Sequence, residues 1–146
     1  MAEFAIDTRI LASSEPLCAL KLCDARLQAD ARWPWIVLLP RKPGARELEH
    51  LSPKDRIQLM EEIVLASSAV RAIGAALGRP VEKLNVGGLG NLVPQLHVHV
   101  IGRRADDACW PNPVWGVGVA QPYSDTNLAG ARQAALAVLD NLKVGS

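Results

Sequence analysis

Apolar and polar positions change period several times along the chain, and each change marks an element. Residues 1–16, with Ser13, Ser14 and Pro16, hold no sustained pattern beyond room for one helical turn and read as an N-terminal arm that carries little. Leu17 to Cys23 (LCALKLC) is mostly apolar. Ala25 to Ala29 (ARLQA) can pair beside it across a turn near Asp24, which predicts a first pair of strands. Trp35 to Pro40 (WIVLLP) is a continuous apolar run between Pro34 and the turn signal PRKPG, the pattern of a strand buried on both faces.

The period then becomes helical. Ser52 is placed to cap, Pro53 sits in the first turn where its missing N–H costs nothing, and Asp55 meets the positive end of the helix dipole. Ile57, Met60, Val64, Val70, Ile73 and Leu77 recur at three and four with one gap of six, which predicts a single buried stripe ended by Gly78 and Pro80. Lys83 to Gly88 (KLNVGG) and Gln95 to Arg103 (QLHVHVIGR) read as two strands joined by a Gly-rich turn, and a second amphipathic helix is predicted over about 127–142. Strands on both sides of one long helix predict an α+β class, an antiparallel sheet of about five strands with a long central helix and a C-terminal helix. The expected layout is one domain over 1–146: the arm to 16, a core over 17–105, and a C-terminal extension over 106–146.

Composition narrows the function. The 146 residues are 49% hydrophobic and 21% charged, and 16 Lys and Arg against 15 Asp and Glu leave a formal charge of +1, with nowhere five like charges in a row. A non-specific grip on a nucleic-acid backbone therefore has no electrostatic basis, while a small anionic ligand remains open. Cys18, Cys23 and Cys109 are an odd number and too few for a disulfide framework, so reduced thiols in a cytoplasm are expected, with Cys18 and Cys23 acting as small core residues. The start MAEFAID has no secretory signal pattern, and no apolar run is long enough to span a bilayer.

The candidate chemistry lies in one segment. Strand residues two apart share a face about 6.5–7 Å apart, so Gln95, His97 and His99 should form one polar row, with Leu96, Val98 and Val100 facing the other way. Just before it, Gly87 to Pro94 (GGLGNLVP) is a Gly-rich turn whose backbone amides can come close to an anion. Two histidines beside such a turn combine a nitrogen nucleophile with phosphate donors. A zinc site on His97 and His99 is the weaker alternative, because only Cys109 lies near enough in sequence to help.

QLHVHVI resembles the histidine-triad (HIT) motif, His-φ-His-φ-His-φ-φ with φ apolar, with Gln95 in place of the first histidine. Gly90, Asn85, Gly102 and Arg103 fall where HIT proteins have comparable groups, and the order of elements over residues 17 to 105 agrees. DARWPW, GNLVPQLHVH and WPNPVWG resemble a bacterial, diadenosine tetraphosphate hydrolase-like branch in which glutamine at the first position is usual.

That resemblance implies a nucleotide hydrolase or transferase. His97 would be the nucleophile, its Nδ1 proton held by a backbone carbonyl while Nε2 attacks the α-phosphorus, and water or another acceptor would release the nucleotide in a second in-line displacement. His99 would bind phosphate oxygens and, if protonated, offset transition-state charge. Gln95 would donate one hydrogen bond toward the leaving oxygen without supplying a proton, which favours a polyphosphate leaving group. Gly90, Asn91, Leu92 and Val93 would bind phosphate through side chains or backbone. Asn85 and Asp30 are ribose candidates, and Arg103 and Arg104 could steer the anion.

The covalent step would need no cofactor, although a divalent cation could accompany the substrate, and HIT proteins commonly pair into homodimers. A nucleotide-binding or adaptor protein with weak or no turnover is the alternative that Gln95 and Leu92 keep open. His50, ahead of the helix cap, reads as a solvated residue. Trp33, Trp35, Trp110 and Trp115 fall in two short segments and read either as core or subunit contact, or as a wall on which a base stacks.

Overall fold

A computed structural model describes residues 2–144 and is a five-stranded antiparallel sheet with two long helices on one face. The elements are α1 (Thr8–Ala12), β1 (Ser14–Ala19), β2 (Cys23–Gln28), β3 (Trp35–Pro40), a 3-10 turn at Leu48–His50, α2 (Pro53–Ala76), β4 (Lys83–Gly87), β5 (Val98–Arg103) and α3 (Asp125–Val144). The strand order is β1-β2-β3-β5-β4, so β3 is central and β4 is an edge. None of the described helices is long and apolar enough to cross a membrane.

The continuous apolar run of β3 is explained by two cores. Ile36 and Leu38 face the helices and join Val98 and Val100 of β5 with Val70 and Ile73 of α2. Trp35, Val37 and Leu39 face the other way and join Trp33, Ile101, Cys109 and Val114. Period-two alternation in β5 therefore sends Val98 and Val100 to the helical side and His99 and Ile101 to the opposite one. The histidine face is the face covered by the N-terminal arm and the segment after β5, with Phe4, Ile6 and Trp115 packed on it.

The first hairpin differs from expectation. β1 starts at Ser14, inside the predicted arm, and Ala19 pairs with Asp24, so Leu20 to Leu22 form the turn and Asp24 lies in β2. Leu22 N–H and Cys23 N–H both donate to the buried Glu62 carboxylate of α2, at 2.9 and 2.8 Å. A helix carboxylate thus closes the turn, leaving Leu20 and Leu22 on either side of the exposed Lys21 free to fill the core. Cys23 is fully buried, Cys18 half-buried, and burial pushes the Cys23 thiol pKa up.

The start of α2 is as read, with Ser52 Oγ accepting from Asp55 N–H at 3.1 Å. Its buried stripe is not. Leu59, Glu62, Ala66, Ala69, Val70, Ile73 and Gly74 face inward, whereas Ile57, Met60 and Val64 are 68%, 58% and 57% exposed. Six residues turn about 600°, which lands about 120° away from a shared face. The gap of six between Val64 and Val70 therefore joined two different stripes. Small residues occupy the true one because the helix lies close to the sheet: a Cβ on Gly102 of β5 would sit 3.0 Å from Val70 Cγ1 of α2.

Candidate active site

The glycines at the end of β4 and in the loop after it lie beside the histidine segment: a Cβ on Gly88 would sit 3.5 Å from the His97 carbonyl oxygen. Gly90 has φ +68°, which a side chain would strain, and a Cβ on Gly87 would lie 3.0 Å from the Trp115 ring. The predicted row is shorter than expected, because β5 begins at Val98 and Gln95 to His97 form the lead-in. His97 is 9% exposed and forms part of the wall of a cavity of about 440 Å³ together with Gly90, Asn91, Leu92, Val93 and His99. A second cavity, of about 340 Å³, shares His97 and Gly90 and reaches Gln95.

Hydrogen bonding settles the tautomer of both rings. His97 Nδ1 lies 2.6 Å from the Gln95 carbonyl oxygen, which can only accept, so Nδ1 carries the proton and the neutral ring keeps its lone pair at Nε2. Trp35 Nε1–H donates to His99 Nδ1 at 3.0 Å, and an indole can only donate. A neutral His99 therefore carries its proton on Nε2 and is a donor. Burial, with His97 nearby, lowers its pKa from 6.5 to about 4, so at neutral pH the ring is an uncharged hydrogen-bond donor instead of the protonated group the sequence left open. The two rings stand 4.9 Å apart at 75°.

Trp35 and Trp115 pack edge-on against His99 at 5.5 and 5.8 Å, and Trp33 lies 6.4 Å from Trp35. Trp33 and Trp35 are core residues, while Trp115 lies in the wall of the histidine cavity. Trp110, on the outer side, has the Arg103 guanidinium 5.6 Å from its ring.

Four sequence assignments change. The Gln95 side chain is not aligned with the histidines: its Oε1 accepts from Asp7 N–H at 2.8 Å and its Nε2 donates to the Ala5 carbonyl at 2.7 Å, so it ties down the arm. Asp30 is 3% exposed and holds Arg32 through both oxygens while accepting from Gln121 N–H, so its carboxylate is engaged by internal partners and is not part of the histidine cavity wall. Burial pushes its pKa up, but Arg32 and the backbone donors outweigh it and hold it low.

Arg103 is 1% exposed, paired with Asp107 at 2.8 and 3.0 Å and donating to Asn85 Oδ1 at 2.8 Å. Arg103 therefore braces the turn after β5 instead of steering an anion, and Asn85 spends its acceptor on that brace instead of on a sugar. Arg104 is held by Asp106 at 2.9 Å. His50 is exposed, as expected, and its Nδ1 accepts from Arg46 and Glu47 N–H at 3.1 Å.

Arg9, Ser13, Gln28 and Gly116 also belong to the cavity wall and were not singled out from sequence. Each comes from a different segment, and no local spacing marks it. Among the described residues, no group of three or more His, Cys, Asp or Glu is placed to hold a metal.

Residues 12–106 match the family model described as HIT domain. The structure is similar to histidine triad protein blr8122 from Bradyrhizobium japonicum, at TM-score 0.88 and 36% identity over 94% of this chain and 99% of that one. A histidine triad (HIT) protein, SMc02904, from Sinorhizobium meliloti is 39% identical at TM-score 0.84, covering 93% and 97% of the two chains. A histidine triad protein from Marinobacter aquaeolei is 35% identical at TM-score 0.87, covering 97% and 99%. No curated protein matches the chain. The chain belongs to the HIT family.

Proposed function

We propose that the protein is a nucleotide hydrolase or transferase that cleaves a nucleoside polyphosphate or dinucleoside polyphosphate at the α-phosphate through a nucleotidyl-His97 intermediate. The observation that carries this reading is the 2.6 Å contact between His97 Nδ1 and the Gln95 carbonyl, which leaves a lone pair at Nε2 beside the glycine loop. Nε2 forms a bond to phosphorus, the bond from phosphorus to the bridging oxygen breaks, and that oxygen leaves with the electron pair. Water then attacks on the vacated side, the phosphorus–nitrogen bond breaks, and one proton is released with the nucleoside monophosphate. His99 donates from Nε2–H to a phosphate oxygen, with Trp35 holding the ring.

A substrate of the diadenosine tetraphosphate type suits this site, because Gln95 has no proton to give and a polyphosphate departs as a stable anion. The covalent step requires no metal, and a divalent cation could accompany the substrate. The reading places the protein in a reducing cytoplasm, where the buried Cys23 and Cys109 remain thiols. It also pairs the chain as a homodimer, through the exposed Ile57, Met60 and Val64 on the outer side of α2, where Met60 shares a cavity wall with Val86 of the edge strand β4.

Rapid quenching with diadenosine tetraphosphate should trap one nucleotidyl group on His97, and His97→Asn should abolish the adduct and lower turnover at least about 1,000-fold. Tight binding with neither adduct nor release would identify a binding or adaptor protein instead.

A further inference from the structure

We propose that the N-terminal arm is a working part of the active site, latched by Gln95, and that Arg9 selects ligands carrying phosphates beyond the α-phosphate. This deepens the nucleotide reading of the same cavity and rests on it. The latch has two points: Gln95 accepts from Asp7 N–H and donates to the Ala5 carbonyl, and the Phe4 and Ile6 side chains between and beside those points pack on the Trp33–Trp35 core. The same residue holds His97 with its backbone carbonyl. One glutamine therefore ties the arm and the nucleophile to a common support.

The arm brings a cation with it. Arg9 Nε and Nη2 donate to the Asp7 carboxylate at 3.0 and 2.9 Å, and Nη1 donates to the Leu92 carbonyl in the glycine loop at 2.9 Å. A guanidinium has five N–H groups, so three are committed and two remain. Arg9 is the only Lys or Arg among the described residues that wall the histidine cavity. Arg32 and Arg103 are each locked to a buried carboxylate, and neither Gln95, which is neutral, nor His99, whose Nδ1 accepts the Trp35 hydrogen bond, supplies a fixed positive charge.

Breaking the phosphorus–oxygen bond leaves a negative charge on the departing oxygen, which spreads over the outer phosphates. Arg9, held at the rim by Asp7, lies where such a chain emerges past the glycine loop. A nucleoside monophosphate has no group to place there.

The test compares binding of ATP and AMP by calorimetry for the unaltered protein, Arg9→Met and Gln95→Leu, with turnover of ATP followed separately. Arg9→Met should weaken ATP binding about tenfold, as losing a charge-assisted contact does, and leave AMP within about twofold. Gln95→Leu should produce the same selective loss and also speed hydrogen exchange at the Asp7 amide, which Arg9→Met leaves slow. Equal losses for ATP and AMP, or undiminished ATP binding, would overturn the proposal. Absence of turnover in the unaltered protein counts against the catalytic reading alone, because the ATP-to-AMP binding ratio is read without it.

Discussion

At the residue scale, a single indole proton decides what His99 can do. Trp35 Nε1–H occupies Nδ1, which leaves Nε2–H as the donor, and burial keeps the ring neutral down to about pH 4. Trp35→Phe removes the donor and should move the His99 pKa upward toward its usual value, visible in the ring-proton chemical shifts across a pH titration; a midpoint unmoved from about 4 would assign the shift to burial alone. The same group contributes a pH dependence to stability. Between about 4 and 6.5 the unfolded chain binds a proton at His99 that the folded chain does not. Stability from this residue is therefore complete above 6.5 and falls with falling pH, by at most about 1.4 kcal/mol per unit. Denaturant midpoints at pH 7 and 4.5 should differ in that direction.

Asp30 and Arg103 illustrate the limits of reading single residues. Both are polar, both lie near the triad in the fold, and both are consumed by ion pairs with partners two and four residues away. Their chemistry suits substrate binding. Their burial, which residue type does not reveal, turns both toward internal partners.

At the scale of elements, β5 is held against α2 and the loop before β4 with no room to spare. A Cβ on Gly102 would lie 2.6 Å from Val81 Cγ2, 2.7 Å from Pro34 Cγ and 3.0 Å from Val70 Cγ1. Gly102→Ala should therefore cost about 1–3 kcal/mol, read as a lower urea midpoint. The beginning and end of α2 were legible, because a cap and a glycine stop are local chemistry. Its inward face was not, because large exposed residues outweighed small buried ones in the pattern. The first hairpin slipped for a related reason. Leu20 and Leu22 look like strand residues, and only the Glu62 carboxylate, about forty positions away, makes them a turn.

At the scale of the whole molecule, the sheet has one face under the helices and the other under the arm and the segment after β5. What remains open is the outer side of α2 and the edge strand β4. Ile57, Met60 and Val64 lie on that side of the helix, with Val86 on the edge. The double variant Met60→Glu and Val64→Glu should shift the protein from dimer to monomer in sedimentation velocity while the far-UV circular dichroism stays that of the folded chain, since neither side chain is in the core. A monomeric unaltered protein would remove the pairing.

The sequence by itself determined the α+β class, the buried central strand, the start and stop of the long helix, and the two histidines beside a glycine turn. Each of these is written in residues within a few positions of one another, as a period, a cap or a spacing. Only the tertiary structure decided which stripe of α2 is buried, that Gln95 ties down the arm, that Asp30, Asn85 and Arg103 are spent on structure, and that Arg9 reaches the cavity. Those outcomes depend on hydrogen bonds and contacts between segments as many as ninety residues apart. Such contacts have no period along the chain, and each forms only once the packed cores have brought its two ends together.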